Sequence, residues 1–265
     1  MRVAGHMPEH PNPIRIGTAG WPLPEGTRRH FPPGASLLER YAKVFNAVEI
    51  NSSFYRSHRP DTYRRWADSV PEEFAFSAKL PREITHVRKL KDCDALTAAF
   101  AAETGALGPK LKAVLVQLPP SLRFEPLIAE EFFLMLSQHL SASLLCEPRH
   151  ASWFTERAEG MLSRLGIARV AADPAPVSGA EAPGGASHTA YIRLHGSPRM
   201  YYSNYDEVQL LDYAGRLAAC RSLARNVWCI FDNTAAFHAT PNALNLMRLL
   251  DNAPVNARQE LPSSL

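Results

Sequence analysis

The sequence predicts an α/β fold, a single-domain (β/α)8 barrel of the TIM type. Three observations point to it. Eight short β-like runs recur along the chain, helical patterns lie between most of them, and the series fits in 265 residues, the usual size of one closed barrel. Strands that alternate with helices run parallel. An open doubly wound sheet is the alternative. It usually carries a Gly-rich phosphate turn after its first strand, and Gly17-Thr18-Ala19-Gly20-Trp21 lacks GxGxxG spacing.

The β-like runs are Ile14 to Thr18, Ala47 to Asn51, Phe74 to Lys79, Ala113 to Leu118, Ser143 to Glu147, Ala168 to Ala172, Ala190 to His195 and Val227 to Asp232. Each is a short apolar stretch bounded by turn-forming residues. Between residues 36 and 45 the apolar side chains fall at Leu37, Leu38, Tyr41, Val44 and Phe45, which is helical spacing. Asp61 to Ala67 follows Pro60 and carries an acidic start, a helix-opening pattern. Asp94 to Glu103, Ile128 to Leu136, Phe154 to Leu165, Glu207 to Leu223 and Asn242 to Leu250 complete the helices. Residues 173–188 are rich in Pro, Ala and Gly without periodicity, and read as a mobile loop. The domain expectation is a barrel over 14–252, with an N-terminal tail over 1–13 and a C-terminal tail over 253–265.

Hydrophobic residues make up 46% and charged residues 21% of the chain, which supplies a continuous core and no membrane span. Net charge is +3, and that balance selects no partner. Its distribution is uneven: from Arg28 to Lys91 there are 13 Lys and Arg against 7 Asp and Glu. The four cysteines form no CxxC pair, and residues 1–13 lack an apolar segment of the signal-peptide kind. Both features fit a reducing cytoplasm.

Side-chain alternation turns the strand pattern into a site. Residues two apart share a strand face, and in a barrel one face fills the lumen. The lumen-facing rows end in Glu49, Asn51, Lys79, Gln117, Glu147, Arg193, His195 and Asp232. Burying charge costs several kcal/mol unless it is paired, so this convergence reads either as a polar pocket at the usual barrel site or as an ion-pair network closing the barrel top. Glu49, Lys79 and Glu147 are the candidate catalytic groups, because carboxylates and a lysine in unlike surroundings hold different protonation states. Candidate substrate-binding residues are Trp21, Asn51, Tyr55, Gln117, Arg149, His150, Trp153, Arg193, His195, Asp232 and Asn233. A desolvated Lys79 could form a Schiff base. Neither HxH nor HExxH spacing occurs, and no metal or cofactor is expected. Arg28, Arg29, Arg56, Arg59, Arg82, Arg88 and Lys89 fall in loops after the first three strands, interleaved with Trp21, Phe31, Phe54 and Tyr55. Guanidinium groups suit phosphate or carboxylate, and aromatic rings suit stacking.

Several stretches carry a family likeness: residues 16–21 (IGTAGW), 48–55 (VEINSSFY), 76–79 (FSAK), 117–120 (QLPP), 147–153 (EPRHASW), 191–196 (YIRLHG) and 231–234 (FDNT). With these in order, the chain resembles the YecE-like family, domain of unknown function 72. The resemblance implies a TIM-type barrel and brings no established activity. Pro148, Asp232 and the stretch from Ala236 to Thr240 depart from the family pattern. Three classes of function stay open: an enzyme of the hydrolase or lyase kind acting on an anionic small molecule, a nucleic-acid-binding or -processing barrel, and a non-catalytic ligand-binding protein. Oligomeric state has no signature in the sequence.

Overall fold

The computed structural model describes residues 13–252; apart from Pro13, the two expected tails lie outside the described residues. The elements run β1 (Ile14–Thr18), α1 (Leu37–Ala42), β2 (Ala47–Ile50), α2 (Pro60–Asp68), β3 (Ala75–Lys79), α3 (Asp94–Thr104), β4 (Leu111–Gln117), α4 (Pro126–His139), β5 (Ser143–Glu147), α5 (Glu156–Arg164), β6 (Ala168–Arg169), β7 (Ala171–Asp173), β8 (Gly184–Gly185), β9 (Thr189–Leu194), α6 (Glu207–Leu223), β10 (Asn226–Phe231) and α7 (Ala239–Asn252). The result is an α/β fold of two sheets. One is ordered β1-β10-β9-β7 and the other β2-β3-β4-β5-β6-β8. All pairings are parallel except β6 with β8. No helix among the described residues is long and apolar enough to cross a membrane.

The alternation read from sequence is visible as two separate apolar clusters. Val48, Ile50, Phe76, Val114, Val116, Cys146, Ile192, Leu194, Cys229 and Phe231 pack with the helices. On the opposite strand faces, Ala47, Ala75, Ala113, Leu115, Leu145, Ala168, Tyr191, Trp228 and Ile230 meet one another. Every one of these side chains is essentially removed from water. The small residues on the first strands leave room for the Tyr191 and Trp228 rings, which stack 5.5 Å apart. This inner layer is the floor on which the strand-end charges stand.

The expected sixth run is one stretch of chain divided between two partners. Ala168 and Arg169 pair with β5, while Ala171 to Asp173 pair with β9. Between β1 and β2 side chains replace most of the ladder. Asn46 accepts from Ile16 N at 2.9 Å and donates to Ile14 O at 2.9 Å. The Tyr41 hydroxyl accepts from Thr18 N at 2.8 Å and donates to Ala47 O at 3.1 Å. Beyond them a parallel bridge joins Ala19 to Glu49. Gly17 permits the approach, since a Cβ there would run into the Ala47 carbonyl.

Residues 173–188, expected to be a mobile loop, are tied down. Arg169 ion-pairs with Glu159 and donates to the carbonyls of Gly179 at 2.9 Å and Ala182 at 3.1 Å. Glu159 also accepts from Gly185 N at 2.7 Å, and β8 adds its antiparallel rungs. Composition missed this because the fixing groups are backbone carbonyls held by a distant arginine.

Candidate functional site

The C-terminal ends of β2, β5, β9 and β10 bring four ionisable side chains around Arg193. Arg193 is fully buried. Its Nε and Nη2 donate to the two oxygens of Glu49 at 3.0 and 2.7 Å. Its Nη1 donates to Glu147 Oε2 at 2.8 Å, and Nη2 also reaches Asp232 Oδ2 at 2.9 Å. His195, two residues on along the same row, spans Asp232 Oδ2 at 3.0 Å and Glu147 Oε1 at 3.3 Å. The inner layer closes the arrangement from below: Tyr191 donates to Glu49 Oε2 at 3.0 Å and shares a 2.7 Å hydrogen bond with Ser77. Charge-assisted bonds of this kind are the strong ones.

The electrostatics follow from that geometry. Burial alone would push the Glu147 carboxyl up, but Arg193, His195 and Arg149 hold it well below the usual carboxylate range. Burial likewise opposes ionisation of Asp232, and Arg193 and His195 outweigh it. The Arg193 guanidinium keeps its proton despite burial because Glu147, Glu49 and Asp232 surround it. These carboxylates are bases already engaged by donors. As they stand, they hold a field and fix neighbouring groups.

Lys79 is different. It is 5% exposed and stands at the end of β3, with Nζ 4.2 Å from the centre of the Phe54 ring. Each oxygen of Glu49 and Glu147 already accepts from other groups, as does Asp232 Oδ2. Burial, reinforced by the Arg193 charge, pulls the Lys79 ammonium down to about 8 against the attraction of Glu49, Glu147 and Asp232. Its charge also reaches the His86 ring, as do those of Arg82 and Arg149. His86 is lowered to about 4 by burial and then by Lys79, Arg82 and Arg149. Its ring meets Phe54 edge-on at 5.1 Å. Arg149 donates to Glu147 Oε1 at 3.1 Å and lies close to Tyr201. Tyr201 adopts a left-handed φ of 69° and sets its ring edge-on to His195 at 5.7 Å. A non-glycine residue in that conformation is uncommon and costs of order 1 kcal/mol or more.

The structure thus gathers Glu49, Lys79, Glu147, Arg149, Arg193, His195 and Asp232. Asn51 stands just past β2 with its Oδ1 buried and unpartnered, and Gln117 lies buried beside Glu147 in register. The other candidates serve the scaffold or the surface. His150 caps the turn at Ala151–Trp153 through Ser152 N. Trp153 is buried and donates to Leu122 O at 3.0 Å. Asn233 ties Ser203 O and Asn242 Oδ1 together. Trp21 packs edge-on to Trp66 at 5.0 Å. Tyr55 is 73% exposed and lines a cleft of ≈ 370 Å³ with Phe54, Arg56, Arg82 and Phe100. Phe54 is common to that cleft and to the Lys79 contact. Phe54, His86, Tyr191 and Ser77 were not among the site residues drawn from sequence. Strand parity already placed Tyr191 and Ser77 in the same inner rows. Phe54 and His86 lie in short helical segments after β2 and β3, where strand alternation has no reach. Among the described residues no group of three or more His, Cys, Asp or Glu is disposed to hold a metal ion.

Fold and site together define an α/β protein with a buried, arginine-centred charge cluster at its strand ends. The chain belongs to the family described as protein of unknown function DUF72, whose model matches residues 15–264. It is 31% identical to UPF0759 protein YecE of Escherichia coli (strain K12) over 173 residues, covering 63% of this chain and 61% of the relative; the chain thus spans about three fifths of that relative's length. It is 24% identical to UPF0759 protein YunF of Bacillus subtilis (strain 168), over 90% of this chain and 95% of the relative. Among solved structures, a DUF72 family protein from Enterococcus faecalis V583 superposes with TM-score 0.76 at 19% identity, covering 91% of this chain and 96% of that one. One from Thermotoga maritima MSB8 gives 0.74 at 23%, covering 90% and 99%.

Proposed function

We propose that this protein is an enzyme acting on a small molecule that bears a phosphate or carboxylate, with Lys79 as its proton-transfer group at the rim of a closed (β/α)8 barrel. Closure is supported by the chain from β6 to β7, which bonds β5 on one side and β9 on the other. It is supported again by the Ala19–Glu49 bridge and the Asn46 and Tyr41 bonds between β1 and β2. In such a barrel the strand ends are where chemistry gathers.

One observation carries the functional reading: Lys79 is a nearly buried ammonium next to three carboxylates, yet their hydrogen bonds are made to Arg193, His195, Arg149 and Tyr191. A lysine retained only for structure would be expected to pair with one of them, since an unpaired buried charge destabilises the fold. Here it faces Phe54, and it joins Arg82 and Arg149 in placing positive charge around the His86 ring. That setting favours an anion. Glu49 and Glu147 act as positioning residues that hold Arg193 and set the potential at Lys79. An amine near neutrality can both take and give a proton at physiological pH.

The test is a thermal-shift panel of phosphorylated and carboxylated metabolites, with single-stranded oligonucleotides as a separate arm. A bound ligand raises apparent stability by mass action. A small anion should shift the wild type and lose most of its effect in Lys79→Met. A shift from oligonucleotides alone, collapsing with salt, would replace this reading with a nucleic-acid function. An anion shift that persists undiminished in Lys79→Met would remove Lys79 from the site.

A further inference from the structure

We infer that Lys79 is a nucleophile that condenses with the carbonyl group of an anionic oxo compound, forming a covalent imine. The inference rests on the anion site of the proposed function and gives Lys79 the part of nucleophile there in place of proton transfer. It commits the substrate to a class: a 2-oxo acid or a phosphorylated aldehyde or ketone.

The geometry separates this lysine from a general-purpose charge. An amine attacks a carbonyl through its nitrogen lone pair, so it must lose its proton and have no strong acceptor holding it in the ammonium form. The nearest carboxylates are engaged by other donors, with Glu49 gripped at both oxygens by Arg193 and Glu147 shared among Arg193, Arg149 and His195. Phe54 covers Nζ with a ring face and offers no proton acceptor stronger than its π cloud. Burial then favours the neutral amine. Arg82 and Arg149 act together with Lys79 on the His86 ring, and their guanidinium groups suit the carboxylate or phosphate of the incoming molecule. Just past the neighbouring β2, Asn51 adds a buried amide oxygen with no donor.

The step balances without any oxidant or further reactant. The Nζ lone pair forms a bond to the carbonyl carbon while the carbonyl π electrons move to oxygen, which takes a proton. The resulting carbinolamine expels that oxygen as water when the nitrogen electrons return to form C=N. The net change is amine plus carbonyl giving imine plus water, and it reverses by hydrolysis.

The chain has six lysines, the others being Lys43, Lys89, Lys91, Lys110 and Lys112, so a peptide map resolves them all. The full-length protein would be treated at pH 7 with limiting formaldehyde and cyanoborohydride, and separately with glyoxylate or dihydroxyacetone phosphate and cyanoborohydride. Each lysine would then be scored by mass spectrometry. Lys79 is expected to be modified at least about tenfold more than Lys112, in keeping with its greater neutral fraction, and to carry the reduced glyoxylate or triose phosphate adduct. Lys79→Arg keeps a positive charge and cannot form an imine, so it should lose the reduced adduct at position 79. Labelling at Lys79 no greater than at the other lysines overturns the imine. If the anion shift survives in that case, the anion site stands without it. If the shift is also absent, the site itself is wrong.

Discussion

Replacing Lys79 with Met should make the protein more stable at pH 7, an unusual outcome for a buried position beside three carboxylates. The folded environment lowers the lysine from 10.5 to about 8, and each unit is worth about 1.4 kcal/mol. Holding this side chain charged in the folded state therefore costs about 3 kcal/mol at neutral pH. Losing the contact between Nζ and Phe54 offsets on the order of 1 kcal/mol, which leaves a gain of about 2 kcal/mol for an apolar side chain of similar length. The pH dependence identifies the cause. The unfolded chain binds the lysine proton more tightly than the folded one, so wild-type stability rises with pH through the window from about 8 to 10.5. The variant lacks that rise, and its advantage should be full below pH 8 and fade across the window. Urea unfolding of wild type, Lys79→Met and the exposed control Lys112→Met at pH 7, 8.5 and 10 measures it. A Lys79→Met protein that is less stable at pH 7, by an amount independent of pH, would refute the reasoning and make Lys79 a structural partner of the carboxylates.

Arg193→Met should be the most damaging change in the site. It leaves Glu49, Glu147 and Asp232 buried without the donor they share, and breaking such a buried pair costs about 3–5 kcal/mol, read as a fall in the urea midpoint. Gly17→Ala should destabilise by about 1–3 kcal/mol, because the new methyl meets the Ala47 carbonyl; circular dichroism melting would record it, and an unchanged melt would show that β1 and β2 do not approach this closely. Tyr41→Phe removes the hydroxyl serving Thr18 N and Ala47 O and should cost about 1–3 kcal/mol, with faster amide exchange at Thr18 as the local signature.

Strand parity was the legible part of this chain. Alternation along each short run placed Glu49, Lys79, Glu147, Arg193, His195 and Asp232 at the inner strand ends, and the apolar layer of Ala47, Ala75, Ala113, Leu145 and Trp228 beneath them obeys the same rule. What parity cannot convey is partnership. One arginine has five donors, and which carboxylates it takes depends on the relative heights of β2, β5, β9 and β10. Those heights are set by the register of distant strands. Motif likeness has a similar limit. His150 and Trp153 belong to the same family-like stretch as Glu147 and Arg149, but the turn at Ala151–Trp153 directs His150 to cap the backbone and Trp153 into the core. The split of residues 168–173 between two partners was also hidden, because Val170 looks like any other apolar residue in a continuous run.

The charge count around Arg193 ties stability to the proposed chemistry. Glu49, Glu147 and Asp232 bring three negative charges, Arg193 and Arg149 bring two positive ones, and Lys79 is the third. Leaving His195 aside, these six groups balance while Lys79 is protonated and carry one more negative charge once the amine is free. At the Lys79 nitrogen the three carboxylates favour a cation, while burial and Arg193 oppose it. Protonation of the imine formed from the amine restores a cation at the same atom. Electrostatic preorganisation favours the species whose charge the fixed groups already oppose. The paired carboxylates, too tightly held to move protons themselves, would then act by making the cationic adduct the one the cluster stabilises.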